Sequence, residues 1–406
     1  MSYLDYQATT PLAPEALAAM LPWLEAQHAN PHSPHREGRA AKAAVEHARD
    51  QIAALLPPGG RLAFTSGATE ALNWAIKGTT GPIVTIATEH AAVLDTVEAE
   101  RAKGRAVTIL PVGRDGLVDL EAARAAIVPG TGLVAAMLVN NEIGVIQPIA
   151  GLARLAHEAS ARMLCDAVQG YGRVPVPPEC DLVAVSAHKI HGPKGIGALW
   201  VRDGVTLAPL LHGGGQEAPG RSGTLSPALC VGFGVAAALM ARRADEDAAH
   251  VEQLWEAAIE KLSLTLLPPR EGLGVGARRD ASRSLLASLA EPVGSAPTPG
   301  PSLAGGGEWR LNGATLPRYH GNLNIRREGL DVARLMSDLR DIAFSAGSAC
   351  ASGSGRPSHV LRAIGLSDAE ARSSIRIGFG RYTTEDDLTD AIDRIAAAAQ
   401  AQRVAA

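Results

Sequence analysis

The sequence is poor in aromatic side chains, which make up 3% of its 406 residues. Stacking platforms for nucleic acid bases are therefore scarce, and small aliphatic residues must fill most of the core. The formal net charge is −4, so no basic excess favours binding to nucleic acid or to an anionic membrane surface. The composition thus argues against both of those classes of partner.

Long apolar runs are also lacking. The longest stretch, residues 228–241, is shorter than the roughly 20 residues that a membrane-spanning helix needs. The N-terminal sequence MSYLDYQATTPLAPE carries acidic residues and no basic segment before an apolar core, unlike a signal or transit peptide. We therefore expect a cytoplasmic protein that does not contact a membrane.

Cysteine is rare, with four residues and no C-x-x-C pair. Without a secretion signal, these thiols are predicted to stay reduced. Cys165, Cys180 and Cys230 lie beside apolar sequence, so we expect them to fill the core. Cys350 instead lies in SAGSACASGSGRPS, whose small, polar and glycine-rich residues predict a mobile loop with an accessible thiol. An incidental exposed cysteine is the alternative interpretation.

What is present is an ordinary globular composition, with 46% apolar and 20% charged residues. The length indicates one large or two moderate domains. Short apolar runs alternate with helix-like segments up to about residue 240, which predicts an α/β fold with a mostly parallel sheet covered by helices on both faces. Beyond about residue 245 strands become fewer, which indicates a second, smaller domain.

Three local patterns refine this picture. A helix over residues 36–56 is predicted from one apolar stripe, formed by Ala41, Val45, Ala48, Ile52 and Leu55. A last helix is predicted to start at Thr384, whose hydroxyl would cap it, and to bury Leu388, Ile392 and Ile395. Residues 291–307, rich in Pro, Gly, Ser and Ala, predict an exposed loop or linker.

Polar motifs follow five predicted strands at the point where each apolar run stops. In chain order they are TSGATE, TEH, NNEIG, DAVQ and SAHK. Ligands of open parallel sheets bind outside the carboxyl ends of the strands, so five polar ends together predict a site. TSGATE, a small-residue turn that opens a helix, suits an anion such as phosphate, although an ordinary helix cap is the alternative.

Four residues at these ends carry candidate chemistry. Asp166 could cap a helix or hold a cationic ring nitrogen, and Gln169 could donate to a neighbouring oxygen. His90 could be a satisfied loop residue or could stack on a flat cofactor. Lys189, in SAHKIHGPKG, could be a surface or salt-bridged lysine, but partial desolvation would favour its neutral, nucleophilic amine, which forms Schiff bases. With an anion site and an acid nearby, it predicts a pyridoxal phosphate site.

The motifs as a set resemble those of the cysteine desulfurases of aminotransferase class V. YLDYQATTP, NPHSPH, FTSGATE, VNNEIG, SAHKIHGPKG, HGGGQE, RSGT, SAGSACASGS and SSIR follow that family's order over nearly the whole chain. The resemblance implies the fold-type I architecture of pyridoxal-phosphate-dependent transferases. A large cofactor-binding domain would span residues 12–245, and a smaller α+β domain would combine residues 1–11 and 246–406. It also implies a homodimer with its sites at the interface.

The same resemblance assigns roles around the cofactor. Lys189 would form the Schiff base, Asp166 would pair with the pyridine nitrogen, and His90 would stack on the ring and assist proton transfer. Gln169 and Asn141 would reach the ring oxygen or the substrate. The cofactor's phosphate end would be held by Ala68, Thr69, Ser186 and His188, and by Thr224 reaching across from the partner subunit.

The resemblance also assigns the reaction. Arg376 would bind the substrate carboxylate, for which a guanidinium fork is suited, and Cys350 would accept sulfur. The implied activity converts L-cysteine to L-alanine, with a persulfide on Cys350 for delivery to an acceptor protein and without a metal. Alternatives are a selenocysteine lyase, another class-V enzyme such as an aminotransferase, and a non-catalytic sulfur-carrier partner. The chain departs from the family at Ala187, where glycine is common, and in its longer residues 271–307.

Overall fold

The computed structural model describes residues 1–217, 220–264, 309–347 and 357–404. Two features singled out in the sequence, Cys350 and the Pro/Gly-rich residues 271–307, lie outside the described residues. What the sequence indicates for them therefore stays a prediction.

Strands of the described residues form three sheets. In chain order they are β1 (Ser2–Tyr3), β2 (Gly60–Thr65), β3 (Ile83–Ile86), β4 (Val107–Leu110), β5 (Leu133–Met137), β6 (Arg162–Asp166), β7 (Leu182–Ser186), β8 (Gly197–Arg202), β9 (Arg310–Leu311), β10 (Asn322–Arg326), β11 (Ile342–Ala343), β12 (Ser345–Ala346) and β13 (Ser374–Gly378).

Helices connect and cover these strands. They are α1 (Pro14–Glu25), α2 (Arg36–Ala53), α3 (Ala68–Lys77), α4 (Ala91–Ala102), α5 (Leu120–Ala126), α6 (Ile149–Glu158), α7 (Pro227–Arg242), α8 (Ala244–Lys261), α9 (Val332–Asp338), α10 (His359–Ala363), α11 (Asp368–Arg372) and α12 (Glu385–Val404). α2 ends before the predicted residue 56 because Pro57 disfavours the helical conformation of the residue that precedes it.

The largest sheet has the order β2-β8-β7-β6-β5-β3-β4. Its inner pairs from β4 to β7 are parallel, whereas β8 runs antiparallel to both β2 and β7. Along β7, Val183 and Val185 pack into one apolar core, and the alternate residues Leu182 and Ala184 pack into another. Both faces are therefore buried, which confirms the predicted mostly parallel sheet in an α/β fold.

A separate core surrounds a four-stranded sheet of order β12-β13-β10-β9. Leu4 from the N-terminus packs there with Leu254 of α8 and with Ile377 of β13. The last helix contributes the predicted stripe of Leu388, Ile392 and Ile395, which are all fully buried. Its predicted cap is confirmed as well, since the Asp387 N–H donates to the Thr384 hydroxyl oxygen at 3.1 Å.

Cys165, Cys180 and Cys230 are free thiols and are completely buried, as the sequence predicts. In the described ranges, no single helix is both long and apolar enough to cross a bilayer. Taken together, α7 and α8 are long and apolar enough by length and composition alone, but they are bent by 73° at the break between them.

Candidate active site

The register of the large sheet brings the predicted strand ends together. Thr65 at the end of β2 and Ser186 at the end of β7 both pair with Gly197 at the start of β8. Asp166 ends β6, which is the next strand after β7, and it pairs with Met137 at the end of β5. The TSGATE, SAHK, DAVQ and NNEIG motifs therefore meet at one edge of the sheet.

The TSGATE turn packs closely against β8. A Cβ atom on Gly197 would lie only 2.7 Å from the carbonyl carbon of Gly67, so a side chain there would push the turn away. Gly67 precedes α3 and offers no side-chain cap to it. The first-turn N–H groups around Ala68 and the exposed Thr69 have no intrahelical acceptors, so they can serve an anion.

Lys189 closes the short turn Ala187–Lys189 that follows β7. Its Nζ donates to the backbone carbonyl oxygen of Gln7 and, at 2.9 Å, to that of Ala8. The buried Gln169 donates from Nε2 to the same Gln7 oxygen at 2.9 Å. Lys189 and Gln169 thus converge on one stretch of backbone, as the family assignment of both residues to a single site requires.

The segment of residues 5–10 forms a wall of the site that sequence reasoning missed. The Thr9 hydroxyl lies 3.2 Å from Nδ1 of His188, and the Thr10 hydroxyl donates to the His188 carbonyl oxygen at 3.0 Å. No strand end or helix cap marks this segment. The only signal is the YLDYQATTP motif, which marks the family but does not indicate these contacts.

Asp166 and His90 lie close enough for the charge of each to shift the pKa of the other. Asp166 is 4% exposed, and its Oδ1 accepts the Val168 N–H at 3.0 Å. Burial raises the pKa of Asp166, whereas the Val168 N–H, His90 and Lys189 lower it. Nδ1 of His90 caps α4 by accepting the Ala92 N–H at 3.0 Å. Burial lowers the pKa of His90, so near neutral pH its ring is uncharged and carries its proton on Nε2.

Ser186 lies beside the turn that opens α3, and His188 follows two residues later. Ser186 is buried, and it is the residue of β7 that pairs with Gly197 next to the TSGATE turn. Burial, with Lys189 and Lys194 close by, lowers the pKa of His188 to about 4. The ring is therefore neutral at physiological pH, and an anion beside it would favour its protonation.

Arg376 is fully buried on β13, where it faces the NNEIG turn. Its Nη1 donates to the carbonyl oxygen of Asn141 at 3.0 Å, and its Nη2 donates to Oδ1 of Asp5 at 2.8 Å. Its Nε has no hydrogen-bond partner among the described residues. A buried guanidinium with a spare donor is suited to binding a carboxylate.

Thr224 does not join this cluster within one chain. It is exposed in the loop between β8 and α7, and no hydrogen bond in the described part of the chain connects it to Lys189 or His188. The loop is nevertheless held in place, because Nε of Arg221 lies 2.8 Å from Oε1 of Glu70 in the first turn of α3. Cys350 lies outside the described residues.

Comparison with known proteins identifies the family. The family model "Aminotransferase class-V" matches residues 2–278. A "Cysteine desulfurase IscS" of Rickettsia bellii is 39% identical over 97% of this chain and 90% of its own. A solved NifS-like protein has a TM-score of 0.80 at 29% identity, covering 97% of this chain and 98% of its own.

A second solved structure, "SspA in complex with cysteine", has a TM-score of 0.72 at 32% identity and covers 95% of this chain and 100% of its own. These relatives share the fold-type I architecture that the sequence predicts, and the match extends over nearly the whole chain. The chain belongs to the class-V aminotransferase family of pyridoxal-phosphate-dependent enzymes and, within it, to the cysteine desulfurases.

Proposed function

We propose that this cysteine desulfurase binds pyridoxal phosphate and converts L-cysteine to L-alanine, leaving the sulfur as a persulfide on Cys350. The observation that carries the proposal is the convergence of three groups at one sheet edge. They are the amine of Lys189, the buried carboxylate of Asp166 and the α3 start that lacks a side-chain cap. Each matches one part of the cofactor: aldehyde, ring nitrogen and phosphate.

The described residues fit the cofactor. A buried carboxylate is costly unless it is paired, and a protonated ring nitrogen would supply the partner for Asp166. The first turn of α3, with Ala68 and Thr69, would hold the phosphate together with Ser186 and His188. His90 caps α4 at the same edge, where its neutral ring would stack on the cofactor. When bound, the cofactor supplies a ring that accepts electrons from the α-carbon of the substrate.

Substrate binding falls to Arg376 and Asn141. The spare Nε–H of Arg376 would take the α-carboxylate, and Gln169 and Asn141 would orient the ring oxygen or the substrate. Lys189 would carry the α-proton on Nζ. The carbonyl oxygens of Gln7 and Ala8 accept hydrogen bonds from this nitrogen, so they would stabilise its protonated form. His90, with its proton on Nε2, would assist proton transfer at the substrate sulfur.

Sulfur transfer is balanced without an external oxidant. The Cys350 thiolate attacks the substrate sulfur, an S–S bond forms, and the substrate C–S bond breaks with its electrons going to carbon. Protonation of that carbon gives L-alanine, so L-cysteine plus a thiol becomes L-alanine plus a persulfide. The persulfide would then pass to a sulfur-acceptor protein, for iron–sulfur cluster assembly or for another sulfur-containing cofactor.

We also propose a cytoplasmic homodimer in which Thr224 completes the phosphate site of the partner. The exposure of Thr224 and the anchoring of its loop through the Arg221–Glu70 ion pair support this role. The separation of the four-stranded sheet's core from the cores of the large sheet supports a division into a large domain over residues 12–245 and a small domain over residues 1–11 and 246–406. The fully buried, unpaired thiols fit a reducing compartment.

The test is alanine release from L-cysteine by the purified holoenzyme and by two lysine variants. Lys189→Ala should lose turnover by roughly 10²-fold or more and lose the Schiff-base absorbance near the visible edge. Lys194→Ala is the matched control, because Lys194 belongs to the same motif but is exposed. Retained turnover in Lys189→Ala would contradict the proposal, and added acceptor proteins should accelerate only the wild type and the control.

A further inference from the structure

Arg376 already has a carboxylate partner within its own chain. Oδ1 of Asp5 accepts from Nη2 of Arg376 at 2.8 Å and from the Ser345 hydroxyl, also at 2.8 Å. The arginine side chain is completely buried, whereas that of Asp5 is 20% exposed. Asp5 stands at the start of the N-terminal segment that lines the site, so its charge lies beside the proposed binding place of the substrate carboxylate.

Other charged or titratable groups face this pair from neighbouring segments. Glu142, in the NNEIG turn, interacts electrostatically with Arg376, but its Oε2 is taken by the Ser358 hydroxyl at 2.5 Å and burial raises its pKa. Burial and the charge of Asp5 raise the pKa of Tyr3 to about 12, so its hydroxyl stays neutral. Among the described residues, Asp5 is the carboxylate in ion-pair contact with Arg376.

The reaction itself makes such a contact useful. L-cysteine and L-alanine carry the same α-amine and the same α-carboxylate, so an arginine that holds one holds the other equally well. An interaction that binds substrate, transition state and product equally well does not lower the barrier of the reaction. When such an interaction is tight, it also slows the release of the product. A second carboxylate on the same guanidinium repels the first, which weakens the hold on both amino acids.

We propose that Asp5 is a positioning residue that moderates the binding of amino-acid carboxylates by Arg376, so that L-alanine leaves the site readily. This inference rests on the proposed role of Arg376 as the carboxylate-binding residue. Asp5 acts through the arginine. It accepts a hydrogen bond from Nη2 of Arg376 and leaves the buried Nε–H of Arg376 for the carboxylate of the ligand.

The experiment measures inhibition of the holoenzyme by L-alanine in Asp5→Asn. This variant keeps an acceptor oxygen for Arg376 and Ser345 and removes only the charge. We expect the inhibition constant of L-alanine to fall on the order of tenfold, with a lower KM for L-cysteine and no rise in kcat. Inhibition by ethylamine, which lacks the carboxylate, should stay unchanged. A merely structural role of Asp5 would not change the inhibition by L-alanine while leaving that by ethylamine as it is.

Two controls isolate the charge. Ser345→Ala removes the other partner of the Asp5 oxygen, together with a 3.4 Å hydrogen bond from Nη2 of Arg376, without changing any charge. Its L-alanine constant should therefore stay within about twofold of the wild type. Asp341→Asn removes one negative charge from a surface pair with Arg394 and should have no effect. Asp5→Ser, also neutral, should tighten L-alanine binding in the same direction if Asp5→Asn does not fold.

The outcomes separate this inference from the proposed function. An L-alanine constant that is unchanged or higher in a folded, cofactor-loaded Asp5 variant overturns the role of Asp5. Arg376→Lys provides the second arm. If it leaves L-alanine and L-cysteine binding intact, the substrate site itself is wrongly assigned. If it weakens both while the Asp5 variants bind like the wild type, only the inference about Asp5 fails.

Discussion

The Glu89 carboxyl accepts the backbone N–H of Met137 at 2.7 Å, directly beside the strand that ends in Asp166. Glu89 is completely buried, and its Oε2 has no hydrogen-bond partner among the described residues. Burial, together with the charge of Asp166, raises the pKa of Glu89 well above its usual range, against the Met137 hydrogen bond that lowers it. Glu89 therefore keeps its proton near neutral pH, whereas Asp166 has the cationic Lys189 facing it.

This difference predicts a pH dependence of stability. A carboxyl whose pKa is raised by folding holds its proton in the native state but releases it on unfolding. Stability from Glu89 is therefore complete below its unfolded pKa and declines as pH rises towards its folded pKa. Glu89→Gln, which keeps an acceptor for Met137, should flatten the decline. Thermal midpoints at pH 5 and pH 8 check this: the variant should gain a few degrees over the wild type at pH 8 and less at pH 5.

Asp166 is expected to retain the cofactor rather than to stabilise the fold. Asp166→Asn removes the charge that would face the ring nitrogen, so cofactor affinity should fall by about tenfold to a hundredfold. Equilibrium dialysis of pyridoxal phosphate measures the change, with alanine release as a second readout. Asp203→Asn, an exposed carboxylate just beyond β8, is the control. Unaltered cofactor affinity in Asp166→Asn would mean that Asp166 accepts the Val168 N–H but does not hold the ring nitrogen.

A buried ion pair secures the loop that carries Thr224. Both terminal nitrogens of Arg49 lie 2.8 Å from the Glu217 carboxylate, which also accepts the Phe64 N–H at 2.7 Å. Arg49→Ala leaves a carboxylate that is 2% exposed without its cation, at a cost of about 3–5 kcal/mol in the free energy of unfolding.

Chemical denaturation of the Arg49→Ala holoenzyme measures this cost. Arg394→Ala breaks an exposed pair with Asp341 and should cost no more than about 1 kcal/mol. The double variant Arg49→Met with Glu217→Gln should recover much of the loss, because no buried charge remains unpaired. Equal losses in Arg49→Ala and Arg394→Ala would show that burial of the pair is not what stabilises the loop.

Much of the site was predictable because it follows from strand ends. Apolar runs identify buried parallel strands, and their carboxyl ends share one edge, which brings Asp166, Ser186 and Lys189 together from distant parts of the chain. The edge strand β4 was not recognised. Thr108 and Ile109 within it are exposed, so its sequence lacks the continuous apolar signature of its neighbours.

The contacts of the N-terminal segment could not be predicted for a different reason. Gln7 and Ala8 bind Lys189 through backbone carbonyl oxygens, which every residue has, so their identity carries no signal. The pairing of Asp5 with Arg376 joins residues at opposite ends of the chain, and no local periodicity encodes such a contact. Both arise from tertiary packing of the N-terminal segment, which meets β13 at the Asp5–Gly378 bridge and the turn after β7 at Lys189.

Sulfur acceptance by Cys350 is the central chemical claim, and mass spectrometry after one turnover with L-cysteine tests it most directly. The wild-type holoenzyme should gain the mass of one sulfur atom, whereas Cys350→Ser should gain none and release almost no L-alanine, because a hydroxyl does not replace a thiolate as acceptor. Serine variants of Cys165, Cys180 and Cys230 should keep the gain, since those thiols are fully buried. A gain that survives in Cys350→Ser and disappears in one of the other three would contradict the account.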